Sequence, residues 1–442
     1  MGRKPAYKPL KVLLNNRMVG TLYKAKSGSV SFTYDAEWLD WPHRFAISLS
    51  LPLRPDAYTG EVVTAVFENL LPDSELLRRQ VAERVGARGT DAYSLLTQIG
   101  RDCVGALQFW PDTDLPPSDT TRINGSALSE EQIERLLNGL ARVPLGVSTE
   151  QDFRISVAGA QEKTALLRHD GVWKQPHGTT PTTHILKPAI GHLPGGIDLT
   201  TSVENEYYCL TLLEKLGFHV PAVEIQHFGE RTALVIERFD RRHTKDGRLL
   251  RLPQEDFCQA LSVPPTLKYQ AEGGPGLVQM LRLLKGSDTP REDQLTLIKA
   301  QLVFWLMAAT DGHAKNFSVF LSPGGGYRLT PIYDVLSAQP SVDARMIERK
   351  QLKLALSLGR SNHYRFDRIN ARHFKETLRA ATLPEALFEE ALEQVANALE
   401  AALTNQETTL PRQFPGEIHE SISRNMKSRL AVLLASSNTQ SF

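Results

Sequence analysis

The chain has 442 residues, 41% of them apolar and 23% charged, a composition that fits an ordinary folded protein of two or three domains and excludes a disordered or collagen-like chain. Lysine plus arginine number 51 against 50 acids, so overall charge selects neither nucleic acid nor a membrane surface as partner. Three widely spaced cysteines, Cys103, Cys209 and Cys258, form no C-x-x-C pair, which argues against a disulfide framework or a zinc site and fits a reducing cytoplasm.

The N-terminal MGRKPAYKPL leads into no apolar segment, and no stretch reads as membrane-spanning, so no membrane partner is expected. From Leu10 to Tyr34 short alternating runs separated by turn clusters predict a small antiparallel meander. PDSELLRRQVAERVG carries apolar residues at helical spacing, with Asp73-Ser74 to cap its start and Gly86 to end it. DAYSLLTQIG predicts another helix and CVGALQFW a strand, so residues 1–110 are expected to form a small α+β domain. Residues 111–150, opening on the polar PDTDLPPSDTTRINGS, are expected to connect it to the rest.

From Phe153 to Lys163 the text FRISVAGAQEK, followed by TALLRHDGVWKQ, reads as a strand, a small-residue turn and a second strand. Backbone N–H groups in such a hairpin could cradle phosphates. Only Gly159 is present, so it is neither a Walker A loop nor the G-x-G-x-x-G of protein kinases, and taken alone an ordinary hairpin is the simpler reading. THILKP is a short strand carrying Lys187, either a phosphate-binding lysine or a solvated one. SVENEYYCLTLLEKLGF predicts a helix with Ser202 as N-cap, Glu204 and Glu206 in its first turn and Gly217 near its end. Glu206 either pairs with Lys187 or complements the helix dipole. A strand pair, VEIQHFGERTALVIERFD, ends in Glu237-Arg238-Phe239, and helices are expected at Asp256 to Ser262, Gln294 to Thr310 and 384–404. Residues 151–240 thus read as a β-rich lobe and 241–435 as a mainly helical one.

The stretch from Trp305 to Asp334, WLMAATDGHAKNFSVFLSPGGGYRLTPIYD, is the most informative. Leu302 to Ala309 is an apolar run that Asp311-Gly312 ends as it would end a buried helix. SVFL and YRLTPIYD, joined by PGGG, predict a hairpin whose second strand carries Asp334 back toward Asn316. Singly, Asp311, Asn316 and Asp334 are ordinary cap and turn residues. Together they match what phosphoryl transfer requires: a carboxylate to orient the attacking hydroxyl, and oxygen ligands for Mg2+ on the ATP phosphates. The D-x-x-x-x-N spacing equals that of the protein-kinase catalytic loop, without the His-Arg before it or the Phe-Gly after Asp334.

Charge is uneven further on. Residues 341–380 carry ten Lys or Arg against four acids, whereas 381–409 carry six Glu and no base. The basic block is a candidate anionic-partner surface.

The order ISVAGAQEK, THILKP, NEYYCL, ERFDRR, LPQEDFCQ, GGPG, ATDGHAKNFSVF and LTPIYD closely resembles the HipA family of bacterial serine/threonine kinases, the toxins of HipBA toxin-antitoxin modules. The resemblance runs from LLPDS near the N-terminus to RHF near the C-terminus, nearly the whole chain. It implies an α+β, two-lobed protein-kinase-like fold that binds ATP and Mg2+. Val157, Ala158, Gly159, Ala160, Gln161, Glu162 and Lys163 would form the phosphate loop, and Lys187 would contact the phosphates. Glu237, Arg238 and Phe239 would hold adenine. Asp311 would be the catalytic base, His313, Ala314, Lys315, Asn316 and Tyr333 would line the nucleotide, and Asn316 and Asp334 would hold Mg2+. Ser156 would be an inhibitory autophosphorylation site, and glutamate-tRNA ligase the substrate whose phosphorylation stalls translation and arrests growth. The implied partner is a dimeric helix-turn-helix antitoxin, HipB, bound to operator DNA, with Lys375 and Arg379 near Arg372 as a secondary DNA contact. Two other readings stay open at the sequence level: a kinase for a small molecule or lipid, and a non-catalytic corepressor that binds the antitoxin.

Overall fold

Alternating apolar residues fold the first stretch as expected. Leu10–Leu14, Arg17–Lys24 and Val30–Tyr34 are antiparallel strands; Leu107–Pro111 pairs with the first and Tyr58–Thr59 with the third. Asn15 and Asn16 both take positive φ, 46° and 66°, as a two-residue hairpin turn matched to strand twist requires. Gly20 is dictated by packing, since a Cβ there would lie 2.4 Å from the Thr33 carbonyl oxygen and 2.7 Å from the Phe32 ring. Helices Glu75–Val85 and Ala92–Ile99 start on the side chains of Ser74 and Asp91, which accept from the Leu77 and Ser94 amides, and the first stops at left-handed Gly86.

The computed structural model describes residues 7–111, 123–141, 144–146, 155–156, 158–159, 161–193 and 195–438. The chain divides into two compact units: Met1–Pro188 with Gln226–Thr266 and Val319–Gly326, and Ala189–Ile225 with Leu267–Ser318 and Tyr327–Phe442.

In the first unit a second sheet carries Arg231–Glu237, His184–Pro188, Thr164–His169, Val172–Pro176 and Gly125–Ala127 side by side. The stretch expected as a connection therefore contributes a strand and, at Glu130–Gly139, a helix with a Ser129–Gln132 capping box. A hairpin joins Thr164–His169 and Val172–Pro176 across the positive-φ pair Asp170-Gly171. Phe153, Arg154, Val157 and Ala160, on which the expected earlier strand and turn fall, lie outside the described residues. Of the described ones, Ile155 and Gly159 make parallel bridges to Asp102 and Pro72.

The second unit is mainly helical, built on Pro290–Met307, a helix buried on nearly every face, against which Ala386–Thr409 and Gly416–Asn438 pack. That central helix starts at Pro290 and ends at Met307, with Ala308 left-handed at φ 58°, three residues short of Asp311. The expectation that Asp311-Gly312 ends it is thus corrected: the chain turns at Ala308 and runs extended into the loop. Helix Ser202–Lys215 has Thr201 at its N-cap position without a side-chain cap bond, while the hydroxyl of Ser202, the expected cap, accepts from the Ile190 amide at 2.8 Å. No described helix is long and apolar enough to cross a membrane.

Candidate active-site residues

Two anchors place the loop that carries Asp311. At its start, Ala309 bridges Ser337, and the Ala338 amide donates to the Ala308 carbonyl at 2.8 Å. Asn205, on the buried side of the 202–215 helix, then holds Ser337 by both backbone groups, 2.8 Å each way. Gly312 lies on the Phe304 ring, where a Cβ would approach to 2.6 Å, so no other residue passes without displacing that ring.

Between these anchors the three groups singled out in the sequence come together. The Asn316 amide nitrogen donates to the Asp311 carbonyl at 2.9 Å and to the Asp334 carbonyl at 3.5 Å, leaving its oxygen as the acceptor end. Asp311 is exposed, and its Oδ1 accepts from the Tyr269 hydroxyl at 2.6 Å. The Tyr269 ring meets His313 edge-on at 4.9 Å. Tyr333 lies behind the loop, its hydroxyl donating to the Lys315 carbonyl at 2.8 Å, and His313, Ala314, Lys315 and Asn316 are all buried. Asp334 is not on a strand. The strands around PGGG are Ser318–Leu321 and Tyr327–Leu329, and Asp334 follows in coil with φ 59°, because the chain has turned back toward Asn316 before reaching it. Among the described residues no three His, Cys, Asp or Glu side chains cluster as a self-sufficient metal site. One carboxylate and one amide oxygen suit a cation that takes its remaining ligands from phosphate and water, as Mg2+ does.

The first unit holds the expected phosphate and adenine residues. Val157 and Ala160 lie outside the described residues. Gly159 has φ 112°, and a Cβ on it would fall 2.3 Å from the Lys163 ammonium, so the glycine gives that lysine its room. Lys163 and, on the strand facing Leu234, Lys187 are both buried cations. Ala158 is half-buried, Glu162 is exposed, and Gln161 donates to the Pro188 carbonyl at 3.2 Å. Ser156 is fully buried: its hydroxyl donates to the Leu70 carbonyl at 2.6 Å and its amide to the Asp102 carbonyl at 2.9 Å. Glu206 is buried on the 202–215 helix of the second unit.

The Arg238 side chain serves the fold. Its guanidinium is buried, donating to Asp240 Oδ1 at 3.0 Å, Asp240 Oδ2 at 2.8 Å, Thr182 Oγ1 at 2.9 Å and the Cys103 carbonyl at 2.9 Å. Its amide donates to the Thr183 carbonyl at 2.8 Å. What it offers is anchorage for the backbone of Glu237 and Phe239. Asp102, unnoticed in the sequence, is the other pole of the cluster, taking Arg241 at 2.9 Å and Arg251 at 2.8 Å. Burial alone would raise its carboxyl, but Arg241, Arg251 and Arg238 outweigh that and hold it well below the usual carboxylate range. Asp240 is held low in the same way, by Arg238 and Arg241. The only sequence sign was the density of charge in ERFDRR at a strand end.

In the basic block, Lys375 reaches Glu389 at 2.8 Å and Arg379 reaches Glu385 at 3.0 Å, so these two cations pair with the acidic run that follows across two packed helices.

Comparison with known proteins agrees with this architecture. Residues 155–403 match the HipA-like C-terminal domain and residues 10–110 the HipA N-terminal domain. The protein Y4mE of Sinorhizobium fredii is 35% identical over 79% of this chain and 82% of its own. The serine/threonine-protein kinase toxin HipA of Shewanella oneidensis is 28% identical over 79% of this chain and 78% of its own. The solved complex of HipA, HipB and operator DNA from Shewanella oneidensis MR-1 superposes with a TM-score of 0.81 at 25% identity, covering 96% of this chain and 97% of that one. The α+β, protein-kinase-like fold expected from the sequence is the fold found. With both domain matches and these relatives in agreement, the chain belongs to the HipA family.

Proposed function

We propose that this chain is an ATP- and Mg2+-dependent protein serine/threonine kinase, the toxin of a HipBA-type module that acts in the cytoplasm. The observation that carries the reading is the Asn316 side chain tying Asp311 to Asp334 in a chain of this family. ATP supplies the γ-phosphoryl group, and Mg2+ offsets its charge. Asp311 orients the acceptor hydroxyl and takes its proton, with Tyr269 fixing the carboxylate. Asn316 and Asp334 hold the metal, and His313, Ala314, Lys315 and Tyr333 shape the nucleotide side of that loop. Lys163, Lys187 and the amides of the 157–163 segment receive phosphates; the backbone of Glu237 and Phe239 takes adenine.

Glutamate-tRNA ligase is the substrate in this reading, and a HipB-like antitoxin dimer carries the chain to operator DNA, as in the Shewanella complex. Lys375 and Arg379, already paired with glutamates, would contribute to DNA contact only by giving up those pairs. Ser156 is the inhibitory site for a physical reason. A phosphate carries about −1.5 to −2 charge and only accepts hydrogen bonds. At a fully buried position facing the Leu70 carbonyl it has no donor to replace the lost bond, so the modified segment leaves its place.

The test incubates purified protein with labelled ATP, Mg2+ and either a lysate or purified glutamate-tRNA ligase, followed by mass spectrometry of the labelled products. Transfer to a protein serine or threonine is expected, with self-labelling at Ser156. Label appearing only on lipid or small molecules overturns the reading.

A further inference from the structure

The turn between helices Glu61–Glu68 and Glu75–Val85 of the N-terminal domain reaches a segment 86 positions further on. Its Leu70 carbonyl accepts from the Ser156 hydroxyl at 2.6 Å, Pro72 bridges Gly159, and the Asp73 amide donates to the Gly159 carbonyl at 3.3 Å. Leu70, Leu71 and Pro72 are buried, so this is no loose surface loop. Arg78 holds the turn from behind. Its buried guanidinium donates through Nε to the Pro72 carbonyl at 2.6 Å, through Nη2 to the Glu68 carbonyl at 3.0 Å, and through Nη1 to the Glu68 carboxylate. That carboxylate also takes the Ala92 amide at 2.7 Å. A planar fork of fixed donors meets all three acceptors at once, which the single ammonium of a lysine does not.

We infer that Arg78 is a positioning residue for the phosphate segment, acting through the Leu70–Asp73 turn. The inference rests on the kinase reading, in which residues 157–163 receive ATP phosphates, and it places a control on that site in the N-terminal domain. Two observations connect the turn to the site. Gly159, which Pro72 and Asp73 hold, is the residue on which a Cβ would fall 2.3 Å from the Lys163 ammonium, so its placement sets the room that lysine has. Pro72, Leu77 and Leu145 meet Gly159 and Lys163 around a space of about 10 Å³, room for one water at most, so the segment rests on the turn itself. Without Arg78 the enclosed Pro72 carbonyl has lost its donor, the turn loosens, and the closed fraction of the segment falls. Apparent ATP affinity falls with that fraction, whereas saturating ATP refills the closed state and leaves kcat where it was.

The test compares the full chain with Arg78→Met/Glu68→Gln and with Arg79→Met. In the double variant glutamine keeps an acceptor for the Ala92 amide and leaves no enclosed carboxylate unpaired, which protects the fold. Arg79 is the control: it neighbours Arg78 on the helix but is exposed and pairs with Glu75 at 3.2 Å. Hydrogen exchange is read by mass spectrometry on the peptides of Asp73 and Ser156, and ATP affinity by titration with Mg2+. In the double variant both peptides should exchange about tenfold faster or more and the Kd for ATP should rise about fivefold or more, with saturating ATP restoring protection and kcat unchanged. Peptides of the Leu10–Leu14 strand should keep the parent's rate, and Arg79→Met should match the parent throughout. Unchanged exchange at Asp73 and Ser156 overturns the inference, as does faster exchange with ATP affinity intact. Acceleration shared equally by Leu10–Leu14 also overturns it, making Arg78 a support of the whole domain. A parent that binds no ATP removes the kinase reading, and the exchange comparison alone then decides whether Arg78 holds the segment.

Discussion

The meeting of Asp311, Asn316 and Asp334 was legible at the residue scale, because a five-residue interval and a following hairpin bring the three together. Asp311→Asn keeps size and shape but loses basicity. Phosphoryl transfer should fall by roughly two to four orders of magnitude with ATP affinity nearly unchanged, as read by single-turnover labelling and nucleotide titration. Equal labelling by variant and parent would remove Asp311 as the base. Asp334 needs a different substitution, since its φ of 59° is strained for most residues. Asparagine tolerates that region, so Asp334→Asn isolates the charge: Mg2+-dependent nucleotide affinity should drop while metal-free affinity changes little. Equal shifts in the two titrations would make Asp334 a purely structural residue. Tyr269 was invisible beforehand because it meets the site through a hydrogen bond to Asp311 and a ring contact with His313, both more than 40 positions away in sequence. The direction of the Arg238 guanidinium was equally unreadable, since its position in the motif says nothing about which way the side chain turns.

Helices and strands with strong local signals were readable at the scale of elements, and those whose partners are distant were not. Ser74, Asp91 and Gly86 mark helix ends through bonds within a turn or two, and they behave as the sequence suggests. The bridges of Ile155 to Asp102 and of Gly159 to Pro72 were not readable, because each joins residues more than fifty positions apart. Helix Gly416–Asn438 escaped notice since its apolar positions are spaced among many polar ones and make sense only against the 290–307 helix. The buried cluster of Asp102, Asp240, Arg238, Arg241 and Arg251 binds elements of the first unit that are remote in sequence. Removing one pole strands the others without solvent, so Asp102→Ala should destabilise by about 3–5 kcal/mol, measured by denaturant unfolding. A loss under about 1 kcal/mol would mean that water enters the cluster freely.

Acid and base titration act on the whole molecule from opposite sides. Asp102 and Asp240 are held low, so their contribution is fully present above the unfolded carboxylate range and is lost progressively as pH falls below that range toward their lowered folded values. Glu255 runs the other way. Burial pushes its carboxyl up to about 8, against the pull of the Leu49 amide, which donates to it at 2.7 Å. The folded state therefore prefers Glu255 protonated, and stability declines as pH rises from the ordinary glutamate range toward 8, by about 1.4 kcal/mol per unit at most. Thermal melts should show a higher midpoint near pH 5 than near pH 8, and Glu255→Gln should flatten that slope. A variant retaining the parent's slope would exclude this carboxyl as its source. The seclusion of Ser156 has a temporal consequence. In the proposed reading, a hydroxyl with no exposed surface is modified only while its segment is open, so silencing would run on an internal clock set by that opening rather than by the supply of ATP. Self-labelling at Ser156 and hydrogen exchange at its amide should then keep the same time.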